Sequence, residues 1–138
     1  MLAAMIPVGQ ALETSGISLN IANFISTTTA GMGLPWLILM VLVITMFVSD
    51  IVNNAATAVI MAPIAANLAI QVGQPVEPFL MAVAVGASCA FLSPIGHQCN
   101  TLVMAPGNYK FGDYWRLGLP LECVIVAISI PMILFVWT

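Results

Sequence analysis

Two short polar runs interrupt otherwise apolar sequence: Asp50-Ile51-Val52-Asn53-Asn54 and Ser93-Pro94-Ile95-Gly96-His97-Gln98-Cys99-Asn100. They supply neutral oxygens from Ser and Asn, one carboxylate and one imidazole, with no Lys or Arg near either run. If each run breaks a helix, backbone becomes available too. Carbonyls before a break lose their partners and can ligate a cation, while N–H groups after it present the equivalent of about +0.5 charge to an anion. With no arginine to clamp it, an anion here is neutralised by helix dipoles, polar donors and co-bound cations. That chemistry is cation-coupled anion uptake.

Other chemistries fit poorly. His97 has no nucleophile or base constellation beside it, so nothing supports an enzyme or an organic cofactor. Cys89, Cys99 and Cys123 are widely spaced and lack a C-x-x-C pair, which leaves them as small buried hydrophobes rather than a disulfide framework or zinc site. Two readings stay open at each remaining position. Asn54 is a helix N-cap for a segment starting at Ala55 or a ligand in a half-helix site. Asp50 is a coupling carboxylate, cation-attracting or proton-linked, or a structural one. His97 is a substrate contact or a hydrogen-bonded residue of the break. Gly96 is placed for backbone freedom, which also suits close approach of an ion.

The elements that must position these residues belong in a membrane. Of 138 residues 62% are hydrophobic and 5% charged, against roughly 25% charged in a soluble domain. Stretches 14–49, 51–76 and 78–109 carry no charge at all. The net charge of −3 comes from few groups and there is no basic patch, which sets nucleic acid aside.

Met1 to Leu12 reads as the end of a truncated helix. Residues 17–28 read as a short interfacial helix, with Ile17, Ile21, Phe24 and Ile25 at helical spacing and Asn20, Asn23 and Thr27 on another side. Trp36 to Ser49 spans only about 21 Å as a helix, short of a bilayer core of about 30 Å, so it stops inside the membrane or tilts. A second segment runs from Ala55 to Val72. A third runs from Pro78 to Leu92, breaks, and resumes from Thr101 to Ala105. Asn54 is followed by Val59-Ile-Met-Ala-Pro63 and Asn100 by Leu102-Val-Met-Ala-Pro106, a local likeness that suggests two half-helices entered in the same way. Loop 107–116 holds both basic residues, Lys110 and Arg116, among aromatic rings, which makes it cytoplasmic by the positive-inside rule. Leu117 to Trp137 is then a full span, kinked at Pro131, that carries the C-terminus outside; Glu122 lies near its cytoplasmic end. The fold class is all-α, a polytopic protein of the cell inner (plasma) membrane in contact with lipid.

Val52-Asn53-Asn54-Ala55-Ala56-Thr57-Ala58-Val59 with Met61-Ala62-Pro63, Ala87-Ser88-Cys89-Ala90-Phe91-Leu92-Ser93-Pro94-Ile95-Gly96-His97-Gln98 with Asn100-Thr101-Leu102, and Tyr109-Lys110-Phe111-Gly112-Asp113-Tyr114-Trp115-Arg116 follow one another in an order that resembles the C-terminal half of the divalent anion:sodium symporter family. The sulfate-permease-like bacterial branch is the most similar. The resemblance runs over nearly the whole chain.

That resemblance implies two inverted repeats, each with a re-entrant hairpin and an interrupted helix that build one sodium site, and a substrate between the repeats. Residues 1–138 would be the C-terminal repeat: 1–33 a truncated helix and an interfacial helix, 35–72 the hairpin, 78–106 the interrupted helix and 117–137 the last transmembrane helix. It implies a sodium site of Ser49, the Val52 carbonyl, Asn54 and the Gly96 carbonyl. His97, Gln98 and Asn100 would flank the substrate together with the hairpin tip. The family carries Ser-Asn-Thr at that tip, where this chain has Asn53-Asn54-Ala55; the missing hydroxyls favour a sulfate-like oxyanion first and a dicarboxylate second. The coupling ion is sodium, with the proton as the alternative. The implied partners are the anion, a first repeat and a second copy of the full transporter in a homodimer. The competing expectation is a non-transporting membrane subunit or remnant that needs a partner half.

Overall fold

In the computed structural model, residues 7, 10, 11, 14–28 and 33–137 are described. The expectation of a truncated helix at the N-terminus falls largely outside them. Six helices are bounded among the described residues: α1 Ile17–Thr28, α2 Leu34–Ile51, α3 Asn54–Val72, α4 Glu77–Ser88, α5 Gln98–Met104 and α6 Phe111–Trp137. None of the described residues lies in a strand. Helices α2, α3 and α6 are long and apolar enough to cross a bilayer. The protein is an all-helical polytopic membrane protein.

The first polar run is a turn between two long helices. Pro35 sits in the first turn of α2, where its missing N–H costs nothing. The helix then continues for 18 residues, about 27 Å, rather than the 14 read from Trp36 to Ser49. Its last turn takes in Asp50 and Ile51, which the sequence reading assigns to the break. Val52 and Asn53 reverse the chain, and α3 ends at Gly73 in the left-handed conformation, with the Gly73 N–H on the Ala69 and Ile70 carbonyls.

The second run is wider than its polar residues suggest. Helix α4 stops at Ser88 instead of Leu92, and Cys89 to His97 are non-helical. Pro94 accounts for part of this, since its ring in a continued helix would clash with the carbonyl four residues back. Asp50 accounts for the rest by taking the Leu92 N–H, 3.0 Å from its Oδ1, which a helix would have aimed at Ser88.

Helix α6 begins at Phe111, so residues 111–116 of the expected loop are helical. The Asp113 carboxylate reaches back to accept the Lys110 N–H at 2.8 Å, which fixes that start. Helix α6 continues through Pro120 and Pro131 as one element. The likeness between Pro63 and Pro106 does not extend to structure. Pro63 lies inside α3, whereas Pro106 follows the end of α5.

Packing follows the small residues. Lipid is as apolar as leucine, so helices associate where small side chains allow close approach. Gly86 of α4 lies so close to α2 that a Cβ there would stand 2.9 Å from the Leu42 carbonyl oxygen and from Thr45 Cβ. Helix α1 buries Ser18, Ala22 and Ile25, packs against α3 and receives a 3.4 Å hydrogen bond on Ser18 Oγ from Asn67 Nδ2. Of the apolar residues at helical spacing, Ile25 is buried against α3, while Ile17, Ile21 and Phe24 face outward, with Phe24 71% exposed. Cys89 is buried as expected, but Cys99 and Cys123 are exposed. Helix α6 buries only Gly118 and Ile133. At Gly118 it presses on the second break so tightly that any side chain there would run into the Phe91 carbonyl.

Candidate functional site

The two breaks meet. Helix α2 delivers Ser49 on its last turn, and α3 delivers Asn54 as its first residue. Ser49 is fully buried, and its Oγ donates to the Ala87 carbonyl at the end of α4, 2.8 Å away. The Asn54 amide faces the same point. Its nearer terminal atom lies 3.1 Å from Ser49 Oγ, 3.2 Å from Ala87 O and 3.3 Å from Gly96 O. A side-chain hydroxyl, a side-chain amide and two backbone carbonyls from α2, α3, α4 and the second break thus converge.

The surroundings fit the amide with Nδ2 inward, within donating distance of Gly96 O, Ser49 Oγ and Ala87 O. Turned the other way, Oδ1 would face the Ala87 and Gly96 carbonyl oxygens, acceptors like itself, and only a cation between them would make that orientation favourable. Neutral oxygens 3.1–3.3 Å from one atom have the spacing of adjacent ligands on a hard cation, which for bonds of about 2.4 Å is about 3.4 Å. The donor set fits a small alkali cation and, having no thiolate or imidazole, suits no softer metal. Among the described residues no group of three or more His, Cys, Asp or Glu is placed to hold a metal ion.

Asn54 does not cap α3. Asn53 does so, its Oδ1 accepting the Ala56 N–H at 2.8 Å, which leaves the Asn54 side chain for the cluster. Gly96 is not at positive φ; it is needed for space, because a Cβ there would stand 2.7 Å from both the Ser49 carbonyl oxygen and Ala90 Cβ. Backbone freedom is therefore not its reason. Val52 is half-buried and extended in the turn, with its N–H on Val48 O.

The residues read as substrate contacts separate into two groups. Asn53 and Ala55 at the hairpin tip are exposed, as are His97 and Gln98 at the start of α5. His97 is also the cap of α5, its Nδ1 accepting the Cys99 N–H at 3.2 Å. Asn100 instead turns inward, and its Nδ2 donates to Ala90 O at 3.0 Å and Ser93 O at 3.3 Å, latching the two sides of the break. Tyr114 of α6 donates to the Asn100 carbonyl at 2.7 Å. A largely apolar cavity of about 300 Å³ between α5 and α6, bounded by Val103, Leu117 and Leu121, meets the second break at Phe91 and Asn100.

Sequence reasoning missed the Ala87 carbonyl. A helix read as continuing to Leu92 leaves no orphan carbonyl at Ala87. The small residues Gly86-Ala87-Ser88 just before the apolar stretch are the only local signal of an end there.

Comparison with known proteins agrees with this architecture. The chain is 38% identical over 133 residues to an uncharacterised transporter of Synechocystis, covering 96% of this chain and 22% of that protein. It is 30% identical over 129 residues to sodium/sulfate cotransporter 2 of Chlamydomonas reinhardtii, covering 93% of this chain and 15% of the relative. It is 31% identical over 121 residues to sodium-dependent high-affinity dicarboxylate transporter 3 of Caenorhabditis elegans, covering 85% and 21%. The chain spans between about a seventh and a quarter of the length of these relatives. Helical membrane architecture, paired helix breaks and a match to the family model described as Citrate transporter over residues 1–138 together place the chain: it belongs to the citrate transporter family.

Proposed function

We propose that the chain forms the second half of a permease that moves a small divalent anion across the membrane with sodium. The observation that carries this reading is the convergence of Ser49 Oγ, the Asn54 amide and the Ala87 and Gly96 carbonyls between two helix breaks. Ser49, Asn54, Ala87 and Gly96 would hold the sodium ion, with the Val52 carbonyl in the adjoining turn. When bound, sodium supplies positive charge that offsets the anion. Asn53, Ala55, His97 and Gln98 stand exposed on the two turns around the cluster, where polar side chains and the first N–H groups of α3 can meet the substrate. Asn100 acts on them indirectly by closing the second break. Helices α2 and α3 serve as the re-entrant hairpin, and an inverted first repeat supplies the other side of the anion site.

Sulfate is the first choice of substrate, because the tip Asn53-Asn54-Ala55 lacks hydroxyls and the similar Chlamydomonas proteins carry the description sodium/sulfate cotransporter. Radiolabelled sulfate uptake into proteoliposomes holding the complete transporter should require an inward sodium gradient and vanish when choline replaces sodium. Uptake that is indifferent to sodium, but driven by a pH gradient, would move the coupling to protons. Strong competition by succinate would favour a dicarboxylate, and no uptake of either anion would favour a non-transporting subunit.

The loop before α6 faces the cytoplasm of a plasma membrane in this reading, and the C-terminus faces outside. Gly112 is exposed with open space around its Cα. In protein with Cys99 and Cys123 replaced by serine, Gly112→Cys should resist a membrane-impermeant maleimide in intact cells and react after permeabilisation. Labelling in intact cells would invert the orientation.

A further inference from the structure

The structure assigns Asp50 and Ser93 a joint role: they form a positioning strut that holds the Gly96 carbonyl against the Ser49 and Asn54 oxygens. The inference rests on the sodium reading above and names residues that would set ion affinity without touching the ion.

The strut is built from bonds that cross between the two breaks. Asp50 Oδ1 accepts the Leu92 N–H at 3.0 Å, and the Asp50 backbone carbonyl accepts the Ser93 hydroxyl at 2.6 Å. That carbonyl belongs to the last turn of α2, where four carbonyls have no partner within the helix. Ser93 Oγ, having donated its proton to α2, accepts the N–H groups of Ile95 at 3.3 Å and Gly96 at 3.2 Å. One hydroxyl thus joins the end of α2 to the residue whose carbonyl faces Asn54. Gly96 is pressed against the same turn, its Cα leaving no room for a Cβ beside the Ser49 carbonyl and Asp50 Cα. Asp50, one residue after Ser49, is 7% exposed and so cannot meet a hydrated ion or substrate in this arrangement.

A strut makes a different demand on Asp50 than a coupling carboxylate does. It needs one acceptor oxygen at Oδ1, not a negative charge. Asn supplies that oxygen, placing its Nδ2 where the buried Oδ2 has no hydrogen-bond partner among the described residues, and Ala does not. Likewise Thr supplies the hydroxyl of Ser93 and Ala does not. Outer-shell partners that orient ligands typically tune metal affinity by about 10- to 100-fold.

The test measures sodium activation of uptake by the complete transporter, with the substrate KM taken at saturating sodium. Ser93→Ala and Asp50→Ala should each raise the sodium concentration for half-activation by about tenfold or more while KM changes by less than about twofold. Ser93→Thr and Asp50→Asn should restore near wild-type sodium activation. Hydrogen exchange of detergent-solubilised protein gives a readout independent of transport. Ser93→Ala should speed exchange at Ile95 and Gly96, and Asp50→Ala at Leu92, with α3 and α6 unchanged. An Asp50→Asn protein that is folded but inactive would overturn the strut in favour of a required charge. Unchanged sodium activation in Ser93→Ala would overturn it as well, and so would unchanged exchange at 95 and 96. If an alanine variant fails to fold, an impaired Ser93→Thr or Asp50→Asn still counts against the strut and a normal one supports it. Wild-type uptake that ignores sodium would refute the sodium reading instead, and the exchange results would then decide the strut alone.

Discussion

Asn54→Ala should reduce sodium-dependent uptake to background while leaving the protein folded in the membrane. Removing the amide takes one of the converging polar groups, 3.1–3.3 Å from its neighbours, out of the cluster. A hydrogen bond or ligand to a charged group is worth about 1.5–3 kcal/mol, which is about 10- to 100-fold in ion affinity. At ordinary external sodium such a loss silences coupled uptake. The fold should tolerate the change because Asn53, not Asn54, caps α3, and alanine favours a first helical turn. The measurement is initial uptake against sodium concentration, with a thermal melt of the purified variant as the control for folding. Wild-type sodium activation in Asn54→Ala would remove the cluster from the ion pathway.

Gly96→Ala is the second large effect. A Cβ at this position would lie 2.7 Å from the Ser49 carbonyl oxygen and from Ala90 Cβ, and 3.1 Å from Asp50 Cα. Two of those atoms are backbone, so no side-chain rotation relieves the contact and the two breaks must separate. Overpacking of this sort costs about 1–3 kcal/mol, and here it also displaces the carbonyl that faces Asn54. Gly96→Ala should therefore lower the melting temperature and abolish sodium-dependent uptake together. Gly73→Ala is the matched control. Gly73 sits at φ 70 with nothing within 4 Å of a built Cβ, so the substitution strains one turn by about 1 kcal/mol and leaves the site intact. Equal losses of uptake in the two variants would mean that Gly96 matters only for general stability.

Much of the architecture is legible in the amino-acid sequence. Unbroken apolar sequence around two polar runs can only be membrane helices with interruptions, because unpaired backbone in lipid costs several kcal/mol per group. Pro35, Gly73 and Pro94 punctuate the chain where helices start, end or cannot continue. Other boundaries are not legible. Phe91-Leu92 suits a helix as well as an extended segment, and the tertiary bond from the Leu92 N–H to Asp50 joins Pro94 in deciding between them. The start of α6 is written in Lys110-Phe-Gly-Asp113, an acidic residue placed to cap, but the charges there suggest a loop.

The side that α1 buries shows the same division. Periodicity groups Ile17, Ile21, Phe24 and Ile25 but does not say which of them meets protein: Ile25 is buried and the other three are exposed. Large apolar groups lose nothing in lipid, while Ser18, Ala22 and Ile25 gain close packing against α3. Composition and periodicity therefore determined the solvent and the two places where chemistry is possible, since those follow from local solubility and backbone satisfaction. Spacing and composition do not bring the two places together; a family resemblance implies it, and only the tertiary structure gives the geometry and adds the Ala87 carbonyl. Ser49, Asn54, Ala87 and Gly96 are separated by up to 47 residues, and their oxygens converge only because Gly86 and Gly96 let backbones approach to distances that no sequence pattern records.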